Sequence, residues 1–325
     1  MNKARDLSVS NRLKYILLNY AIYFAGAIVI LVFAFSHKAF FSVRNITGMF
    51  SNMAALLAAA GGMTIVIMAG ELDLSIASII MSSATFGASM MNNYGVEPHL
   101  GLLLMVLLGV VLGTVNALLV VGLKINPWMA TLSMQLALRG FTLSLTDSAT
   151  FMLPDSLKDY RNLKLFDFLP VLVLFVLVFL AILQYVIKAT VFGRQLQAMG
   201  SNKASAANVG INTKRIRFIV YVISGFCAGV SGMLMSLNLA SAAPFMGQNY
   251  EMFAIMAAVM GGASMLGGSG SILPGALFGV LFVQVLENGL SIMGVDIYVF
   301  SLIRGCLIFL AIYLDSVKNQ LRIAA

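Results

Sequence analysis

Charge is what this chain has least of. Its 325 residues include only 20 Lys and Arg and 12 Asp and Glu, 10% charged in all, where a soluble domain carries about 25%. That is too little ionic surface to coat a water-soluble fold. Cysteine is nearly absent. The two present, Cys227 and Cys306, lie in apolar segments, which excludes a disulfide framework or thiolate metal site and makes them small buried apolar residues. The two histidines, His37 and His99, stand in loops with no Cys or second His nearby, so no metal site and no proton relay is assigned. No G-x-x-x-x-G-K-[ST] occurs, and the glycine-rich stretch 261–270 has no lysine to reach a phosphate. The chain has no ATPase site of its own, no catalytic residue is assigned, and no cofactor is expected on it. Alternation is missing too. VLVLFVLVFLAIL (171–183) has none of the dyad pattern of a membrane β-barrel strand.

What is there is apolar sequence, 60% of the chain, with a mean hydropathy of +0.97. Runs of about 20 residues recur from Tyr15 to Leu314, each able as a helix to cross a hydrocarbon core of about 30 Å. The expected fold is all-α and integral to the membrane, one polytopic domain over 1–325. About ten spans are placed at 15–35, 46–69, 74–92, 100–123, 127–146, 169–187, 216–238, 250–266, 271–291 and 297–314. The start MNKARDLSVSNRLK has a basic flank, but the apolar stretch after it is too long for a signal peptide and lacks an A-x-A-like cleavage site, so it reads as an uncleaved first span. Around 250–291 the glycine-rich sequence fits either a turn between short helices or a re-entrant hairpin. NALLVVGLKI (116–125) and NGLSIMGVDI (288–297) share Asn, Gly and Ile at equal spacing. Either the chain is a five-helix inverted repeat, or apolar sequence resembles itself by chance.

A net charge of +8 would suit a nucleic-acid partner, but the cations sort by loop. With the amino terminus inside, Lys3, Arg5, Arg12, Lys14, Lys124, Lys188, Arg194, Lys203, Lys214, Arg215, Arg217, Lys318 and Arg322 are cytoplasmic. Lys38, Arg44, Lys158, Arg161 and Lys164 are outside. By the positive-inside rule both termini are cytoplasmic, including a basic segment 1–14 and a tail 315–325. Lipid is the partner this bias implies, not nucleic acid.

Polar residues inside such spans need a reason, because a charge at a helix centre costs about 2.5 to 3.5 kcal/mol on insertion scales. In AGELDLSIAS (69–78), Gly70 ends one span and Asp73 sits where an N-cap carboxylate opens the next, with Glu71 in the same first-turn field. These two, with Ser75, either cap the helix or line the inner mouth of a path. Arg139 lies deep in the fifth span and needs a partner or a water-filled cavity. Glu287, Asn288 and Arg304 complete the candidate path or gate, with Glu287 and Arg304 as candidate partners. GVVLG (109–113) and AGVSG (228–232) place small residues four apart for close helix packing. The loop 189–215 contains a stretch, 194–209, suited to one short helix punctuated by Gly193 and Gly210. It is either a docking element or an ordinary basic connection.

Four stretches together resemble the permease subunits of ATP-binding-cassette (ABC) importers for ribose, arabinose, xylose, galactose and sugar-like autoinducers. GMTIVIMAGELDLSIAS (62–78) resembles the family's G-M-T-x-V-I-x-x-G-G-I-D-L-S-V-G-S, departing at Glu71, Leu72 and Ala77. LKINPWMATLSMQLALRGFTL (123–143) resembles its K-x-x-x-P-x-F-I-x-T-L segment, with Pro127, Thr131, Leu132, Arg139 and Gly140 in place. The inner loop is similar to its coupling region at Gly193, Arg194, Ala198, Gly200, Asn202, Ala206, Ala207, Gly210, Ile211 and Asn212, with Val209 in place of Ser. YEMFAIMAAVMGGASMLGGSGSILPGALFG (250–279) follows a fourth motif, departing at Met256 and Pro274.

The resemblance implies an importer with a second permease subunit, identical or not, a cytoplasmic ATP-binding subunit holding ATP and Mg, and a periplasmic or lipid-anchored solute-binding protein. It makes 193–212 the ATPase-coupling loop, gives the outer loops 147–168 and 239–249 to the binding protein, and assigns most selectivity to that protein, the spans having few hydrogen-bonding side chains. Alternatives are an ABC permease for nucleosides or branched-chain amino acids, an ion-coupled secondary transporter using Glu71, Asp73 and Arg139, and a membrane protein that conducts nothing. The sugar group matches more closely at 62–78 and 250–279.

Overall fold

The computed structural model describes residues 37–166 and 168–323, with 28, 31–33 and 35 besides. The segment 1–14 and most of the expected first span lie outside the described residues. Long helices carry the fold: α1 (Val43–Met68), α2 (Ile76–Tyr94), α3 (Pro98–Ala117, prolonged by a π turn Leu118–Gly122), α4 (Pro127–Thr146), α6 (Val171–Ala189), α9 (Thr213–Leu239), α11 (Leu277–Ile292, entered by a π turn Ile272–Ala276) and α12 (Ile297–Ile323). Shorter are α5 (Asp155–Asn162), α7 (Val191–Ser201), α8 (Lys203–Asn208) and α10 (Tyr250–Met260).

Local chemistry sets the boundaries. Pro98 and Pro127 stand at first-turn positions behind Glu97 and Asn126, whose side chains accept from Leu100 N and Trp128 N. Gly95 in the left-handed region ends α2. Among the described residues, six helices are long and apolar enough to cross a membrane: α1, α3, α6, α9, α11 and α12. α2 and α4, at 19 and 20 residues, have the length and fall outside that set because they are more polar. The expected span 250–266 is corrected: α10 stops at Met260 after 11 residues, about 16 Å of helix, where Gly261 and Gly262 break it. Residues 315–323, in the expected tail, continue α12 as helix.

α1 and α9 form the centre. α1 is the most enclosed of the apolar helices, 83% of its apolar window being buried, and α9 packs on α1, α2 and α3. The α3–α9 contact is backbone on backbone. A Cβ on Gly109 would lie 2.5 Å from Gly225 O, and one on Gly113 2.6 Å from Tyr221 O. Gly109 and Gly113 thus interlock with Gly225 and Gly229, which suits a membrane, where helices associate by close packing and not by escape from water. Cys227 is buried here, whereas Cys306 is exposed on α12 and is not the buried apolar residue expected.

At the end of the bundle expected to lie outside, the two loops 147–168 and 239–249 meet. β1 (Phe151–Met152) pairs antiparallel with β4 (Ser241–Ala242), and Asn92 donates to Met152 O. β2 (Lys164–Leu165) pairs with β3 (Leu169–Pro170). At the other end the chain from Gly261 to Ser271 is irregular, and its polar groups are matched from outside. Gln184 of α6 accepts from Ile272 N and Leu273 N at 2.8 and 3.1 Å, while Asp315 of α12 accepts from Ser264 Oγ and Met265 N. Irregular backbone at such depth is tolerated only where protein supplies the partners.

The glycine interface makes a quantitative expectation. Gly109→Val drives a side chain into backbone that cannot yield and lowers stability by about 1–3 kcal/mol or more. Gly140→Ala, with open space around the added carbon, leaves stability unchanged or slightly raised. Thermal unfolding of the two variants in detergent checks this, and equal melting temperatures would refute the interlock.

Candidate functional site

Between α1 and α2 the chain is not helical, and from Asp73 to Ser75 it is buried. Gly70 turns it in the left-handed region (φ +73°), and Asp73 and Ser75 are both 0% exposed. Asp73 organises the segment. Its Oδ1 accepts from Ser75 N (3.0 Å) and Ser75 Oγ (2.6 Å), and its Oδ2 accepts from Ser224 Oγ of α9 (2.7 Å). Ser75 Oγ in turn accepts from Asn116 of α3 at 2.6 Å, and Leu74 N donates to Thr131 of α4 at 3.1 Å. One carboxylate thereby gathers α2, α3, α4 and α9 around the end of α1. The N-cap expectation for Asp73 is corrected in register: Ser75 holds the cap position and Asp73 stands two residues earlier, satisfying the cap residue's own amide. Glu71 does not share that field. It pairs with Arg217 of α9, and both side chains are largely enclosed.

The segment expected to couple to an ATPase lies against this knot. It is two helices, α7 and α8, where one over 194–209 was expected. Asn202 breaks the run by adopting an extended conformation and capping α8 through Ser205 N at 2.9 Å. Its residues sort by direction. Gly193 closes the turn from α6, since a Cβ there would lie 1.8 Å from Ile187 O. Gly200 lies against the end of α1 and the glycine loop, where a Cβ would meet Met68 O at 1.9 Å and Gly268 N at 2.5 Å. Gly268 N itself donates to Met68 O at 2.9 Å. Ala206 is buried and Gly210 turns the chain at φ +84°. Arg194, Ala198, Asn202, Ala207 and Asn212 are exposed, as is Val209 at 76%. Lys203 is held below its ordinary pKa, first by partial burial and then by the charge of Arg217, with Glu71 opposing.

Toward the other end the remaining candidates separate into pairs. Arg304 Nη2 lies 3.1 Å from Glu287 Oε1, with its guanidinium 3.8 Å over the Phe253 ring. Asn288 and Asn45 exchange two bonds of 2.8 Å. Arg139 meets no carboxylate in an ion pair among the described residues, and its Nε is buried without a partner. One turn earlier on α4, Gln135 donates to Glu251 Oε1 at 3.0 Å, leaving Glu251 Oε2 unmatched. Sequence reasoning missed Glu251 by counting it as the start of a span. On the outer loops, His99 and the amides of Leu100 and His99 hold Glu97 below the usual carboxylate range, and Lys158 does the same for Asp155. His99 also reaches Tyr160 at 3.1 Å.

The expectation that the spans offer few hydrogen-bonding groups also needs correction. A cavity of about 280 Å³ opens between α2, α3 and α4, and serine, threonine and asparagine side chains of α2 and α4 contribute to its wall. Their spacing of three and four residues was in the sequence, unremarked because each hydroxyl alone is unexceptional in an apolar helix.

Comparison with known proteins adds the family. Residues 45–312 match the family model described as branched-chain amino acid transport system / permease component. The chain is 33% identical over 294 residues to the ribose import permease protein of Bacillus subtilis, covering 90% of this chain and 91% of that one. It is 32% identical over 313 residues to the D-allose transport system permease protein of Escherichia coli (93% and 92%). With the autoinducer 2 import system permease protein of Photorhabdus luminescens it shares 31% over 278 residues (85% and 83%). No solved structure matches.

The knot around Asp73 is testable by itself. Asp73→Ala strands three donors at a buried site and lowers stability by about 3 kcal/mol, taking roughly 1 kcal/mol for each bond lost. Ser224→Ala, which removes one of them, costs about 1 kcal/mol. Thermal or denaturant unfolding in detergent measures both, and an Asp73→Ala protein as stable as the parent would remove the carboxylate from its organising role.

Proposed function

The chain belongs to the branched-chain amino acid transport system / permease component family, and from that premise we propose that it is the membrane-spanning subunit of an ABC importer for a monosaccharide or sugar-like solute. The observation that carries this reading is the two-sided coupling segment. Its inward residues, Gly193, Gly200 and Ala206, lie against the ends of the spans, and its outward residues, Arg194, Ala198, Asn202 and Ala207, face away from the chain. A rigid element fixed on one side and free on the other suits a partner that pushes. That partner is a separate cytoplasmic ATP-binding subunit, which holds ATP and Mg, because this sequence has no nucleotide-binding loop.

The rest of the assembly follows from the same reading. A second permease subunit, identical or related, completes the path, and a solute-binding protein docks on the outer loops that β1 and β4 join. The chain crosses the cytoplasmic membrane of a bacterium ten times with both termini inside, α2 and α4 crossing despite their polarity and the short α10 crossing together with the irregular chain after it, which reaches the end of α1 at Gly268. A five-helix inverted repeat would place the two ends of the path at equivalent interfaces. The sugar class is supported by relatives named for ribose and D-allose import, against branched-chain amino acids in the family description. Ion coupling is the weaker reading, since Glu71 and Glu287 are each matched by an arginine. Glu251 remains the residue it would use.

Vesicles containing this chain, its ATP-binding subunit and its binding protein are expected to accumulate solute only with ATP inside the compartment holding the ATPase. Ala198→Asp is expected to weaken ATPase association about tenfold or more, with no loss of folded permease. Accumulation by the purified chain alone, driven by a proton or sodium gradient, would overturn the assignment.

A further inference from the structure

α2 and α4 are polar in a particular way. Along α2 and the turn before it, Ser75, Ser78, Ser82, Thr85, Ser89 and Asn93 follow one another at three- and four-residue spacing, one face of a helix. Along α4, Thr131, Gln135, Arg139, Thr142 and Thr146 do the same, over about 22 Å. The two helices pack together, and their stripes meet. Ser82 Oγ and Thr142 Oγ1 are 2.7 Å apart and both nearly buried, at 7% and 5% exposed. Inward of this pair the seam is closed, with Ser75, Ser78 and Thr131 at 1% exposure or less. Outward it opens into the cavity of about 280 Å³, whose polar wall includes Thr85, Ser89, Asn93 and Thr146 and whose apolar wall includes Phe86 and Phe141.

We propose that this cavity is a binding site for one small polyhydroxylated solute, of monosaccharide size, with the Ser82–Thr142 pair as its floor. Its volume equals that of about nine waters at roughly 30 Å³ each. The hydroxyl pair uses one O–H hydrogen internally, and among the described residues no other protein acceptor meets the second. A solute oxygen is the acceptor it lacks. Thr146 donates to the carbonyl of Thr142, one turn back, so its lone pairs stay available to solute O–H groups, while Thr85, bonded to Met81 O and 0% exposed, backs the wall. Phe86 and Phe141 add aromatic surface to the lining, which a sugar's C–H groups can contact. An acyl chain would use none of these polar groups, and an amino acid zwitterion would find no ion pair among them.

This inference rests on the sugar reading of the proposed function, and the test separates the two. In vesicles carrying the full importer, Cys306 is replaced by serine, buried Cys227 is kept, and Thr146→Cys is introduced. A charged, membrane-impermeant thiol reagent is expected to label this residue. One member of a panel of free pentoses and hexoses is expected to slow the labelling about threefold or more. Thr142→Val raises the concentration of that sugar needed about tenfold, whereas Ser83→Ala, on the same helix but off the stripe, leaves it unchanged. Labelling by an apolar maleimide alone would mean that lipid fills the cavity, and labelling indifferent to every sugar would mean water without a site. Either result overturns the proposal, as does an unaltered response in Thr142→Val. ATP-driven uptake is measured on the same vesicles. If it persists while protection fails, only the site falls, and if it is absent the importer reading falls instead.

Discussion

A chain crossing lipid cannot leave a polar group unmatched, and the stretch 70–75 is where this one concentrates that constraint. After α1 the chain turns at an exposed Gly70 and then runs through a buried, non-helical stretch from Asp73 to Ser75 before α2 begins. Asp73 resolves the difficulty by accepting from an amide and two hydroxyls at once. Because those donors come from the start of α2 and from α9, and Ser75 passes the network on to Asn116 of α3, the requirement of one short segment fixes the relative position of several helices. Removing the carboxylate would affect all of them together, since a half-satisfied buried network is worse than none.

That same segment is what the short helices α7 and α8 lean on. Gly200 of α7, Met68 at the end of α1 and Gly268 of the glycine loop are in backbone contact, with no flexible side chain between them to absorb a displacement. In the proposed importer, a push on the outward face of α7 and α8 is delivered to backbone that is hydrogen-bonded to the floor of the bundle. Glycine is needed at these points for proximity more than for flexibility. The ion pair of Glu71 and Arg217 adds a polar tie between the same segment and the start of α9.

Much of the fold was legible in the sequence because span length and helix caps are local properties. The fifth expected span coincides with α4, bounded by Pro127 and Thr146, and the others that fall on described residues differ by a few residues, except α10, cut short at glycine, and α12, which runs on from 314 to 323. Partnership was harder to read. Asp73 looked like an ordinary cap because the residues that give it another role, Ser224 and Asn116, are far away in sequence. The coupling helix looked continuous because Asn202 is compatible with a helix until its side chain is seen capping the next one. Gly109 and Gly113 announced a close contact, but their partners Gly225 and Gly229 begin three residues before the small-residue pattern that the sequence offered.

The cavity between α2 and α4 shows how membrane helices can line a proposed solute site without a charged side chain in its wall. Thr85, Thr142 and Thr146 lie on these helices, and two of them return their hydrogens to carbonyls of their own helix, so an empty cavity leaves few donors exposed and little desolvation to offset. A carboxylate in the same place would demand a counter-ion whenever the solute was absent. Hydroxyl lone pairs also bind weakly, and a path must release what it receives, so modest contacts at several positions serve passage better than one strong site. Capture with high affinity then falls to a protein outside the membrane. Scarcity of charge therefore suits the proposed permease, which needs to hold its solute only well enough to pass it on.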